Sequence, residues 1–107
     1  MPFPVTATLL DAVVLAIVAR EDIYGYKITQ EVRRLVGISE STLYPVLRRL
    51  QKDGFLTAYN EMMTNRVRRY YHVTPAGREK LREYRADWTA YRDALESVLG
   101  EGEGKSE

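Results

Sequence analysis

The chain has 107 residues, 45% of them hydrophobic and 29% charged, which fits one soluble domain small enough to profit from a partner subunit. Net charge is only +1 and cysteine is absent, so bulk charge announces no nucleic-acid partner, and disulfides, thiolate metal sites and a cysteine nucleophile are excluded. The N-terminus has no basic leader region, and the apolar run Leu9–Ala19 is interrupted by Asp11 and falls short of the ~20 residues that span a membrane, so a cytoplasmic protein with no membrane partner is expected.

Charge is unevenly spread. Residues 1–77 hold 10 Lys and Arg against 7 Asp and Glu, and residues 78–107 hold 6 against 8. Within 41–72 six basic residues (Arg48, Arg49, Lys52, Arg66, Arg68, Arg69) stand against two acidic ones, Asp53 and Glu61. The middle of the chain is a local basic patch on a nearly neutral protein.

In chain order, Thr6 to about Arg20 is a helix apolar nearly all round, buried on more than one side, either as a central core helix or as one shared between the core and a subunit interface. Tyr24 to about Leu35 is amphipathic, with Ile28, Val32 and Leu35 on one face and Lys27, Glu31 and Arg34 on the other; Gly37 is placed to stop it. Ser39 or Ser41 can cap a third helix that runs to about Lys52 and stops at Gly54. Pro45 lacks the donor of a helix interior, so a late start for this helix is favoured. Residues 55–60 (FLTAYN) and 67–73 (VRRYYHV) are rich in β-branched and aromatic residues and form a two-stranded hairpin around the polar stretch EMMTNR. Thr74-Pro75 opens a last helix, cap followed by first-turn proline, which runs to about Leu99 and ends at Gly100. The tail, residues 101–107, is expected to be disordered. The fold class is mostly α with a small β hairpin.

The third helix puts Leu43, Val46, Leu47 and Leu50 inward, which leaves Thr42, Tyr44, Pro45, Arg48, Arg49 and Lys52 on its outer face. Hydroxyls and arginines suit the DNA major groove, where arginine pairs bidentately with guanine. Arg66, Arg68 and Arg69 follow on the hairpin, which can lie along the DNA backbone or in the minor groove. Arginine on a helix exterior is usually just solvated. Here two adjacent elements turn basic groups outward together, and double-stranded DNA becomes the expected partner.

The last helix spaces Leu81, Tyr84, Trp88, Tyr91, Leu95 and Val98 in the 3-4-3-4-3 steps of a heptad seam. About 25 helical residues reach roughly 37 Å, more than the width of a domain built from the rest of the chain, so the far end needs a second chain and a two-fold homodimer is expected. Trp88, the only tryptophan, either packs the dimer core or offers a stacking face to a planar ligand between subunits. Arg85 and Arg92 beside it oppose a cationic ligand and favour a neutral or anionic one.

The stretches YGYKI (24–28), STLYPVLRRLQKDGFL (41–56) and RRYYHVTPAGR (68–78) resemble the PadR family of winged helix-turn-helix transcriptional regulators, over nearly the whole chain. The single short C-terminal helix is similar to the small-member subfamily, which includes multidrug-sensing repressors. The resemblance implies a winged helix-turn-helix domain over 1–76, a dimerisation helix over 77–100 and a homodimeric repressor on a palindromic operator. In it Thr42, Tyr44 and Arg48 match the recognition-helix motif, Arg68 and Arg69 the basic approach to the Tyr pair, and Trp88 the ligand-stacking tryptophan. One departure is the wing tip, Met62-Met63-Thr64-Asn65, where many members are glycine-rich.

No enzyme, cofactor or metal is expected. His72 is the only histidine and reads as solvent-facing on a strand; Ser39 and Ser41 have no nearby base; no phosphate-binding loop is present. The rival reading is a winged-helix protein–protein interaction module without DNA binding, since fold does not fix function.

Overall fold

The computed structural model describes residues 6–100. Helix α1 (Ala7–Arg20) begins where the Thr6 hydroxyl accepts the Leu9 N–H at 3.1 Å. It buries Leu10, Asp11, Val14, Leu15, Ile17 and Val18 on one side, while Leu9, Ala12, Val13, Ala16 and Ala19 on the other side are only half-buried, so burial within this chain is not all-round. A two-residue strand β1 (Ile23–Tyr24) precedes α2 (Gly25–Val36), which ends at Gly37 in the left-handed conformation (φ 69°) with its N–H on the Arg33 carbonyl. Then come α3 (Glu40–Lys52), β2 (Leu56–Met62), β3 (Val67–Val73) and α4 (Pro75–Leu99).

The core lies between the first three helices and one face of the sheet. Leu15, Ile28, Val32, Leu43, Leu47, Leu50 and Leu56 are all but sealed from water, and Val73 and Leu81 close it from the sheet and from α4. Burial of this kind stabilises by about 1.5–3 kcal/mol per large side chain.

Five sequence expectations need correction. The sheet has three strands in the order β1-β3-β2, because Ile23 and Tyr24 pair antiparallel with Tyr71 and Tyr70 on the far side of the hairpin. Leu35 is exposed, and Val36 packs on the core in its place, because the inward stripe of α2 drifts round by one position in its last turn. α3 starts early at Glu40, so Pro45 sits inside it; the proline has no N–H for the Ser41 carbonyl one turn back, at an exposed position. Ser39 occupies the cap position by backbone, but its hydroxyl lies 3.1 Å from that of Ser41 and 3.2 Å from that of Thr42 instead of on a backbone N–H. Leu81 is 4% exposed and belongs to this chain's own core, with Tyr84 half-buried beside it; the first turns of α4 pack on the helices of the same chain and do not reach outward.

The start of α4 is fixed to the end of the α3–β2 connection. The Thr74 hydroxyl accepts the Gly77 N–H (2.9 Å) and donates to the Gly54 carbonyl (2.7 Å), and the Thr74 N–H donates to the Phe55 carbonyl (3.1 Å). A side chain at Gly77 would collide with the Phe55 carbonyl oxygen, so glycine is required by close approach. The molecule extends 62 × 30 × 20 Å, the long dimension being far greater than the body.

Candidate nucleic-acid interface

α3 presents one clean outward stripe. Ser41, Pro45, Arg48 and Lys52 recur at helical spacing, all exposed, opposite the buried Leu43, Val46, Leu47 and Leu50. Sequence reasoning found Pro45, Arg48 and Lys52 but gave Ser41 to capping; its hydroxyl stands with those of Ser39 and Thr42 in an exposed cluster at the start of the helix. Arg48, Lys52, Arg66 and Arg68 have no carboxylate partner among the described residues.

The two flanks of α3 do other work. On the sheet side Gln51 accepts from Arg69 (3.3 Å), and Tyr44 is half-buried beside Tyr71. Burial raises the Tyr44 phenol above its ordinary value, with Glu40 adding to the effect. On the opposite flank Arg49 turns away from the expected DNA face. Its Nη1 and Nη2 donate to the two oxygens of Asp11 on α1 at 2.9 and 2.7 Å. The pair with Asp11 raises the Arg49 pKa further. The geometry is bidentate and ties the guanidinium to α1, so Arg49, expected from sequence among the DNA-reading residues, is engaged within the fold instead of standing free like Arg48.

The wing supplies the second half of the surface. β2 and β3 pair in unbroken register from Leu56 opposite Val73 to Met62 opposite Val67. The face turned to α3 carries Arg69, whose guanidinium lies 5.8 Å from the centre of the Tyr71 ring. The other face carries Arg68, 4.2 Å over the Tyr24 ring, and a row of tyrosines in which Tyr70 meets Tyr24 and stacks on Tyr59. Arginine stacked on an aromatic ring keeps its charge available while losing side-chain freedom.

Because β1 pairs only as far as Tyr70, β3 has no strand on its β1 side at Val67–Arg69, where β2 alone flanks it. An open cleft of about 380 Å³ lies there, lined among others by Tyr24, Tyr26, Tyr44, Arg66, Arg68 and Arg69, with no carboxylate on its walls. Tyr24 and Tyr26 were not singled out from sequence as interface residues; the repeated aromatic in YGY was the only available signal. At the far end of the tyrosine row Asp22 accepts from the Tyr59 hydroxyl (2.7 Å) and contacts His72 Nδ1 (2.8 Å). The two hydrogen bonds hold the Asp22 carboxyl below its usual range, and the Asp22 contact pushes Tyr59 up to about 12. His72 is therefore exposed, as read from its strand position, but tied to Asp22.

Along α4 the seam divides. Leu81 and Tyr84 face this chain's helices, while Trp88, Tyr91, Leu95 and Val98 are 44%, 60%, 40% and 78% exposed. Trp88 and Tyr91 rings lie 6.4 Å apart. No helix among the described residues is long and apolar enough to cross a membrane.

Three helices with a basic antiparallel wing beside the third define a winged helix-turn-helix regulator. The chain belongs to the PadR-like family of transcriptional regulators: the family described as "Transcriptional regulator PadR-like family" matches residues 14–83. The transcriptional regulator Rv3488 of Mycobacterium tuberculosis is 40% identical over 83 residues, which are 77% of this chain and 75% of that protein. Among solved structures, smu.1704 of Streptococcus mutans is similar at 38% identity and a TM-score of 0.87, over 92% of this chain and 93% of that one. Bacillus subtilis PadR, solved in complex with operator DNA, is similar at 25% identity and a TM-score of 0.63, over 71% of this chain and 46% of that one. The family is one of transcriptional regulators and not of enzymes.

Proposed function

We propose that this PadR-family regulator is a repressor that binds double-stranded DNA in the cytoplasm as a two-fold homodimer. The observation that carries the reading is the basic stripe of α3 beside a wing whose arginines, like Arg48 and Lys52, have no carboxylate partner among the described residues. Thr42, Arg48 and Lys52 enter the major groove with Ser41; Arg66, Arg68 and Arg69 approach the backbone, and Tyr44 helps to shape the cleft that receives it. The operator complex of Bacillus subtilis PadR supports DNA as the partner of this surface.

Residues 1–76 form the DNA-binding part, and in the helix over 77–100 the first turns pack on that part through Leu81 and Tyr84 while the exposed remainder serves dimerisation. Trp88, Tyr91, Leu95 and Val98 supply the contact between subunits, which supports the dimer because a stripe this apolar otherwise faces water. A two-fold dimer reads a palindromic operator. A planar neutral or anionic molecule stacked on Trp88 between the subunits releases the DNA by changing the spacing of the two α3 helices.

The test is fluorescence anisotropy of a labelled duplex from upstream of the chain's own gene against a shuffled duplex, with light scattering on the same sample. Preference for the native duplex by a dimer supports the reading. A monomer, or equal affinity for both duplexes, contradicts it.

A further inference from the structure

The end of the wing carries an apolar pair that the fold does not cover. In the last rung of the hairpin Met62 stands opposite Val67, and the two are 75% and 53% exposed. Strand side chains alternate between faces, so this rung shares its face with Asn60 and Arg69, Ala58 and Tyr71, and Leu56 and Val73. That face is the one turned to α3: Leu56, Tyr71 and Val73 are buried there and Arg69 reaches Gln51. Moving outward, the row goes from core to a polar rung and then back to apolar side chains in open water.

The core needs apolar residues at the near end and has no use for them at the tip. The hairpin end is held in shape by the Met63 N–H, which donates to the Arg66 carbonyl at 2.7 Å. No carboxylate stands on this face; the one on the strand, Glu61, is opposite Arg68 on the other face. An apolar pair backed by Arg69, with Arg66 beside it, fits a polyanion that also offers apolar walls. Deoxyribose rings along a groove are such walls.

We infer that Met62 and Val67 seat against the sugars of the DNA minor groove and add an apolar, salt-independent share of the affinity. The inference rests on the DNA-binding reading above and deepens it by separating two kinds of wing contact. Arginine contacts to phosphate release counterions and so depend on salt. Apolar contacts release only water and do not.

The experiment measures affinity of the full chain for the native duplex at several salt concentrations, for wild type, Met62→Ser/Val67→Thr and Arg68→Ala. The double variant weakens binding about tenfold at every salt concentration, giving a parallel line, whereas Arg68→Ala gives a shallower one. Oxidation of wild-type Met62 by peroxide, followed by mass spectrometry, slows when the duplex is added. If the double variant binds as wild type does while Arg68→Ala weakens, or if Met62 oxidises at the same rate on DNA, the tip contact is overturned and the DNA reading stands. If the double variant leaves DNA affinity unchanged but alters the oligomeric state, the pair is a protein contact and the inference fails. If wild type binds no duplex at low salt, both fall together.

Discussion

Arg49 of α3 is clamped to Asp11 of α1 by two parallel hydrogen bonds of 2.9 and 2.7 Å. Asp11 is 6% exposed, and Tyr84 of α4 lies close enough for both charges to act on its phenol. The helix that offers Arg48 to solvent is thus tied through its next residue to α1, at a point where α4 also arrives.

Breaking that clamp leaves a buried carboxylate without a partner. Arg49→Ala is expected to lower stability by about 2–3 kcal/mol, the low side for a broken buried pair because the Arg49 side chain is 44% exposed. Urea denaturation measures it, and Arg49→Ala/Asp11→Leu should recover much of the loss. A single variant within about 0.5 kcal/mol of wild type contradicts the structural role.

The two halves of the α4 seam should respond differently. Leu81→Ala opens a cavity in the chain's own core and is expected to cost about 2–4 kcal/mol in denaturation. Leu95→Glu, at a 40% exposed position, is expected to leave helical content intact and convert a dimer to a monomer in light scattering. A dimer that survives Leu95→Glu places the subunit contact elsewhere.

Gly77→Ala introduces a methyl group against the Phe55 carbonyl and the Val73 side chain. The expected loss is about 1–3 kcal/mol, although alanine is the better helix former. A stabilised variant means that α4 can shift away from the α3–β2 connection.

Asp22 gives a pH dependence with a definite sign. Its carboxyl is held below the usual carboxylate range by the Tyr59 hydrogen bond first and the His72 contact second. A depressed acid stabilises above its unfolded pKa and loses that contribution as pH falls through the folded one. Tyr59, pushed up to about 12, contributes fully below the ordinary tyrosine range and loses its share as pH rises through about 12. The melting-temperature difference between wild type and Tyr59→Phe is therefore expected to be full at about pH 7 and to shrink towards about pH 3. A difference that stays constant over that span removes Asp22 as its cause.

Periodicity made the helices, the hairpin and the outward face of α3 legible, because each is set by residues near one another in the chain. Gly37 and Thr74-Pro75 marked their boundaries for the same local reasons. What stayed hidden was set at long range. β1 is two residues long and has no pattern of its own; it exists because β3 is beside it. Arg49 looks like Arg48 in sequence, and only a partner 38 positions away distinguishes them. A heptad seam says which residues share a face and not how far along the helix the chain's own body extends, so Leu81 and Trp88 read alike. The cleft of Tyr24, Tyr26 and Arg68 required three elements to meet.

The central claim is that the α3 stripe and the wing hold DNA through basic residues left free by the fold. Its most direct test is the salt dependence of wild-type affinity for the native duplex, compared with Arg68→Ala. Each phosphate contact adds about 0.9 to the steepness of the log–log plot. A steep negative slope, flattened by about two units when Arg68 is lost from both subunits, is the expected result. Affinity that hardly changes with salt, or a slope that Arg68→Ala leaves untouched, would contradict it.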